Sequence, residues 1–289
     1  MPARSLPEMI DALLDLAIEE DVGDGDVTTD LLVPAGKTAT GHYVARQGGV
    51  FAGEKVLTHF FQRFCSDVKI TALAREGECI EPGRKLATIT GSARAILTGE
   101  RLSLNLLQRM CGVATLTRSF VDAVEGTGVK IMDTRKTMPG QRAFDRLAVF
   151  VGGGENHRAG LYDMILIKDN HLALTEPKGS VADAVRRARE KSSLKIMLEV
   201  DTLDQLSDAL EAEPDMVLLD NMSLGALEDA VKLTHDFSAS RDLRRPLLEA
   251  SGGVSLKTVR GIAETGVDRI SVGALTHSAV ALDIGLDFA

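Results

Sequence analysis

Hydrophobic positions in the first third of the chain follow several local periods. Ser5 followed by Glu8 forms a candidate capping box, after which Met9, Ile10, Leu13, Leu14, Ala17 and Ile18 recur at helical spacing. Gly23-Asp24-Gly25-Asp26 supplies turn chemistry where that pattern stops. Residues 38–53 read as a strand running into a Gly-rich bend. Residues 54–65 return to helical spacing, with Val56, Leu57, Phe60, Phe61 and Phe64 on one side. Short strands are expected at 68–74 and 85–90, separated by a turn at Pro82-Gly83, and a long helix over about 95–110. Segregated elements of this kind predict an α+β domain rather than repeated βα units.

From about residue 129 the pattern turns regular. Short apolar runs at Val129–Met132, Met164–Ile167, Ile196–Leu198, Met216–Leu219, Leu247–Leu248 and Ile270–Val272 alternate with helical stretches. Those stretches include Val181–Glu190, Leu203–Leu210, Leu224–Leu233 and Leu256–Glu264. Such alternation predicts parallel strands joined by right-handed crossovers. The runs lead into polar residues at their carboxyl ends: Asp133 to Lys136, Lys168 to Asn170, Glu199, Asp220-Asn221, Glu249 with Ser251 to Gly253, and Ser271 with Gly273. A doubly wound sheet accommodates the alternation, but polar strand ends that converge on one rim favour an α/β barrel. With six runs in place of eight, the barrel is expected to be incomplete, with six or seven strands.

Composition narrows the function. The 289 residues carry 33 Lys+Arg against 42 Asp+Glu, a net charge of −9, and no basic tract. That balance argues against nucleic-acid or anionic-membrane binding. Acidic residues from Glu8 to Glu20 argue against a signal peptide, and no apolar run approaches the roughly 20 residues of a membrane span. Cys65, Cys79 and Cys111 show no CxxC spacing, so a disulfide scaffold and a cysteine-rich zinc site are not expected. The expectation is a cytoplasmic enzyme.

Arg135, Lys136, His157, Arg158 and Lys168 would make the rim cationic within an acidic protein, which suits a substrate with several carboxylates or phosphates. Glu199 and Asp220 end consecutive strands. Among phosphate-binding groups they could hold Mg²⁺; otherwise they serve in salt bridges with rim lysines. Ser251-Gly252-Gly253 stands between a strand and a helix, as phosphate-binding loops do, and Gly152 to Gly154 is a second glycine run. Walker A, HExxH and G-x-S-x-G motifs are absent. Lys168, ending the apolar run Met164–Ile167, is also a candidate Schiff-base lysine of an aldolase. Composition and spacing leave these enzyme classes open.

Longer motifs separate them. Asp133-Thr134-Arg135-Lys136-Thr137-x-Pro139-Gly140, Gly152-Gly153-Gly154-x-Asn156-His157-Arg158 and Ile167-Lys168-Asp169-Asn170-His171 closely resemble the quinolinate phosphoribosyltransferase family. Gly25-Asp26-Val27-Thr28-Thr29, Glu100-Arg101-x-x-x-Asn105, Leu219-Asp220-Asn221, Glu249-x-Ser251-Gly252-Gly253 and Ser271-x-Gly273-x-Leu275-Thr276-His277-Ser278 extend the likeness over essentially the whole chain, in the family's order. A fold-related molybdenum-transport-associated family is the alternative, disfavoured because the cationic set is complete.

The resemblance implies an N-terminal α+β sandwich-type domain over 1–112, joined by 274–289, and an incomplete barrel over 113–273. It implies transfer of phosphoribose from phosphoribosyl pyrophosphate (PRPP) to quinolinate, with release of pyrophosphate and CO₂, in NAD biosynthesis. Thr134, Arg135, Lys136, His157, Arg158 and Lys168 would bind quinolinate, joined by Arg101 from a partner subunit in a homodimer, or in a hexamer of such dimers. Glu199 and Asp220 match the carboxylates on the ribose and Mg²⁺ side, and with Lys136 they are the expected catalytic set. Ser251, Gly252, Gly253, Val272, Gly273, Ala274 and His277 match positions that bind PRPP. Mg²⁺ would arrive with PRPP, and no organic cofactor is implied. The pattern departs from the family at Gln141, at Arg146-Leu147, and at Met197, where many members carry a further glutamate.

Overall fold

The structure is a computed structural model describing residues 5–175 and 180–289. In chain order the elements are α1 (Leu6–Val22), α2 (Val27–Leu32), β1 (Thr38–Ala45), β2 (Gly49–Val50), α3 (Glu54–Phe64), β3 (Lys69–Ala72), β4 (Cys79–Ile80), β5 (Lys85–Ser92) and α4 (Ala93–Ala123). They continue with β6 (Lys130–Met132), α5 (Arg142–Val151), β7 (Ile165–Ile167), α6 (Asp169–Ala173), α7 (Val181–Lys191), β8 (Ile196–Val200), α8 (Leu203–Glu211), β9 (Met216–Asp220) and α9 (Leu224–Arg241). The last are β10 (Leu247–Ser251), α10 (Val259–Glu264), β11 (Arg269–Ser271), α11 (Ala274–His277) and β12 (Ile284–Phe288). Two compact units form, one from residues 1–118, 137–153 and 275–289, the other from 119–136 and 154–274.

The first unit holds a four-stranded antiparallel sheet in the order β12-β1-β5-β3. Ser5 caps α1 with the capping box expected from Glu8, and Gly23 ends the helix. α4 continues thirteen residues past the expected end, because Gly112 is a site of close approach and not a stop. A Cβ there would lie 2.0 Å from the Val280 carbonyl oxygen. Gly99 has the same role on another face of the helix, where a Cβ would meet the Phe61 ring at 2.9 Å. The segment 137–153, placed by the sequence reading in the barrel, packs with this unit. Its helix α5 lies against α1, and buried Asp145 receives Arg109 Nε and Nη2 at 3.0 Å each, plus the Thr137 hydroxyl. Arg109 also donates to the carbonyls of Thr276 and Ala279.

The second unit contains six parallel strands in the order β6-β11-β10-β9-β8-β7. The order is cyclic in sequence, opened once between β6 and β7. Into that gap Glu155 adds a single parallel bridge to Met132, a one-residue start on a seventh strand. Each expected apolar run is a strand. The registers place Leu166, Met197 and Met216 on one face, and Met164, Met197, Met216 and Leu218 form a buried cluster on it. Helices α7 to α10 pack against one another in turn. α10 starts at Val259, later than expected, because Ser255 and Thr258 close a hydrogen-bonded turn before it.

Candidate active site

Strand alternation continues the methionine-lined face toward the carboxyl ends. Two residues beyond Leu218 comes Asp220, two beyond Leu166 comes Lys168, two beyond Met197 comes Glu199, and two beyond Glu249 comes Ser251. A cavity of about 360 Å³ opens there, with Leu166 and Leu218 as its apolar lining. Thr134, Arg135, Lys136, His157, Arg158, Lys168, Glu199, Asp220, Ser251 and Ser271 supply its polar wall. The expected cationic set therefore shares one enclosure with the two carboxylates.

Lys168 Nζ stands 2.5 Å from Glu199 Oε2. A Schiff-base lysine must present a free amine to its substrate; this one is held by a carboxylate partner. Burial pushes the Arg158 guanidinium below its ordinary value, the charge of Arg135 adds to the effect, and Asp163 and Glu199 oppose it. Two guanidiniums in one cavity, one of them destabilised by burial and by the other's charge, make a receptor for an anion. The loop after Arg158 is held by Asp163, whose carboxylate accepts the amides of Ala159 and Gly160 at 2.7 and 3.1 Å.

His157 is held from several sides. Its amide donates to the buried Asp133 carboxylate at 2.7 Å, and its Nδ1 accepts the Arg158 amide at 2.7 Å. Its Nε2 stands 3.2 Å from Oε1 of Glu249, which is fully buried and also accepts the Ser271 hydroxyl.

Asp220 is oriented by its neighbour. Asn221, at a left-handed φ of 54°, donates Nδ2 to Asp220 Oδ2 at 2.8 Å. Gly252 has a φ of 98°, and a Cβ there would stand 2.1 Å from Asn221 Oδ1, so both backbone and space require glycine.

Among the expected PRPP positions, Ser251 lines the cavity, Gly252, Gly253, Val272 and Gly273 follow in the strand-end loops, and Ala274 opens α11. The Val272 amide is already spent on the Met132 carbonyl at 3.0 Å. Arg101 and His277 belong to the first unit, and both are exposed. In the polar stripe on α4, Thr98 bonds Asp26 and Gln108 donates to the Ile284 carbonyl, which leaves Arg101 and Asn105 as its exposed members. Sequence reasoning passed over Leu166, Leu218 and the orienting roles of Asn221, Glu249 and Ser271. Their period-two spacing from the strand-end charges was the available signal for the first two.

Among the described residues no cluster of three or more His, Cys, Asp or Glu side chains could hold a metal. Glu199 and Asp220 do give two hard oxygen donors in one cavity, a set that fits Mg²⁺ shared with substrate phosphates.

Residues 26–111 match the family described as quinolinate phosphoribosyl transferase, N-terminal domain, and residues 113–287 match its C-terminal domain. The chain belongs to the quinolinate phosphoribosyltransferase family. It is 47% identical over 277 residues to the nicotinate-nucleotide pyrophosphorylase [carboxylating] of Mycobacterium leprae, covering 94% of each chain. A probable enzyme of the same name from Bacillus subtilis is 38% identical, with 93% of this chain and 89% of that one covered. The crystal structure of NadC from Streptococcus pyogenes superimposes with a TM-score of 0.89 at 35% identity, over 100% of both chains. That of the nicotinate-nucleotide pyrophosphorylase from Francisella tularensis gives 0.88 at 32%, over 99% of this chain and 98% of the other. Within this quinolinate phosphoribosyltransferase-family chain, Met197 is fully buried in the methionine cluster, one inward step below Glu199.

Proposed function

We propose that this chain transfers the phosphoribosyl group of PRPP to quinolinate, giving nicotinate mononucleotide, pyrophosphate and CO₂ in the cytoplasm. The observation that carries the reading is the cavity in which Arg135, Arg158 and Lys168 converge, with Arg158 held below its ordinary value by burial and by Arg135. Quinolinate, a dianion, would relieve that repulsion with paired charge-assisted hydrogen bonds.

In the reaction, the pyridine nitrogen forms a bond to the anomeric carbon as the bond to pyrophosphate breaks, and pyrophosphate leaves with that electron pair. The bond from C2 to its carboxylate then breaks, CO₂ departs, and the pair left at C2, beside the cationic ring nitrogen, takes up a proton. Asp220, fixed by Asn221, and Glu199 lie where positive charge on ribose could be met by fixed negative charge. These two carboxylates would hold Mg²⁺ jointly with phosphate oxygens, and the ion would offset charge on departing pyrophosphate. Lys136 supplies a further cation for phosphate.

The test is incubation with quinolinate, PRPP and Mg²⁺, following pyrophosphate and CO₂. Nicotinate, which lacks the 2-carboxylate, should be a poor substrate; efficient nicotinate turnover would show the cationic cavity to be misassigned. Borohydride added with quinolinate should leave the protein mass unchanged, since an adduct on Lys168 would restore the aldolase reading.

We also propose a homodimer in which exposed Arg101 serves the partner's cavity. Arg101→Ala and Arg158→Ala should each be nearly inactive. Random re-pairing makes about half the dimers mixed, each with one intact cavity, so roughly a quarter of wild-type activity should return. Mixed dimers shown by mass yet inactive would refute the shared site.

A further inference from the structure

Glu249 is a carboxylate in an unusual position. It is fully buried on β10, Oε1 meets both the Ser271 hydroxyl and His157 Nε2, and Oε2 has no hydrogen-bond partner. It does not line the cavity, yet both of its neighbours do. A buried carboxylate with one bare oxygen is costly, so its presence calls for a task that an apolar residue could not perform.

That task follows from the ring it faces. The Arg158 amide donates to Nδ1 of His157, so Nδ1 carries no proton in this arrangement, and the ring proton sits on Nε2, aimed at Glu249. With Asp133 holding the His157 amide, the His157-Arg158 backbone is pinned on both sides by buried carboxylates. We infer that Glu249 is a positioning residue which acts through His157: by accepting the Nε2–H hydrogen bond it fixes the ring tautomer, and the ring in turn fixes the backbone that presents Arg158 to the substrate carboxylate. His157 then acts as a strut, and its part in quinolinate recognition is to hold Arg158 in place. The inference rests on the proposed quinolinate reading for what Arg158 binds, but not for the tautomer.

Two measurements test it. Nitrogen NMR of the ¹⁵N-histidine-labelled full-length protein, without substrate, should show His157 as the neutral Nε2–H form at the assay pH. An imidazolium or an Nδ1–H ring would overturn the proposal, whatever the enzyme turns over. In kinetics, Glu249→Ala should raise KM for quinolinate about 10- to 100-fold, the scale of a lost hydrogen bond to a charged group, and leave KM for PRPP within about twofold. In a His157→Ala background the same substitution should add less than about twofold, because its route to Arg158 is already cut. Equal movement of both KM values, or full additivity with His157→Ala, would make Glu249 merely structural. If Glu249→Ala does not fold, Glu249→Gln decides the matter. Its amide oxygen can still accept from Ser271 and His157, so it should keep the Nε2–H ring and a quinolinate KM within about fivefold of wild type. A Gln variant that folds but loses that ring form overturns the proposal as well.

Discussion

Buried charge is used differently in the two units. In the first, Asp145 is satisfied on both oxygens by Arg109 and also takes the Thr137 hydroxyl, so this buried charge is answered inside the unit. In the second, Arg158 shares its cavity with Arg135, whose charge acts against it, and Glu249, outside the cavity lining, leaves an oxygen bare. A fully answered pair holds segments together. A cation left partly unanswered in a cavity is held ready for an anion, and a perturbed ionisable group in a cavity is a physical mark of a site. Substitutions at the buried Asp145–Arg109 pair of the first unit should therefore be read in stability, and those at the cavity cations of the second in turnover.

The largest effect that would separate them is at Arg158. Arg158→Ala should cost about 2–5 kcal/mol of transition-state stabilisation with quinolinate, read as kcat/KM, while the melting temperature stays near wild type. Asp145→Ala should do the reverse, losing about 3 kcal/mol of unfolding free energy in urea titration because Arg109 is left without its partner. If Asp145→Ala left stability intact, the contrast would fail. Gly112→Ala comes next, at about 1–3 kcal/mol from overpacking against the 280–281 backbone.

The smallest effect concerns Glu76, whose carboxylate accepts the Gly53 amide at the start of α3. Burial raises its pKa above the ordinary 4.5, against the amides that lower it. A carboxyl held above its unfolded value binds its proton more tightly in the fold, so its contribution is greatest below 4.5 and is lost as pH rises through the folded value. Glu76→Gln should thus gain on the wild type in melting temperature as pH is raised from about 4 toward neutrality. A constant gap, or one that widens in the wild type's favour, would contradict the sign.

Legibility in the sequence followed the range of the interactions. Each parallel strand is a short apolar run leading into polar residues, so all six could be read locally, along with the rim residues that line the cavity. β4, only two residues long, and β12, paired with β1 across most of the chain, depend on distant partners and left no local pattern. Helix α5 carries Ala143, Phe144, Leu147 and Ala148 at helical spacing, a local signal, but its membership of the first unit rests on packing with α1, more than 100 residues away. The continuation of α4 past residue 110 left little local mark, because the backbone that needs a glycine at 112 is some 170 residues away. The place of His157 at the rim was legible and its employment was not, since a tautomer is decided by neighbours that only folding supplies.

The chain passes between its two units four times, at 118, 136, 153 and 274. No single cut can therefore release either unit whole. A gene divided at residue 112, where the two family domains meet, would break α4 in mid-helix and strand α5 on the wrong fragment. Evolution could not shuffle one half of this protein into another as a cassette, and a protease nicking the chain between β6 and β7 would leave each unit still covalently tied to the other. Interleaving of this kind makes the two units heritable only together.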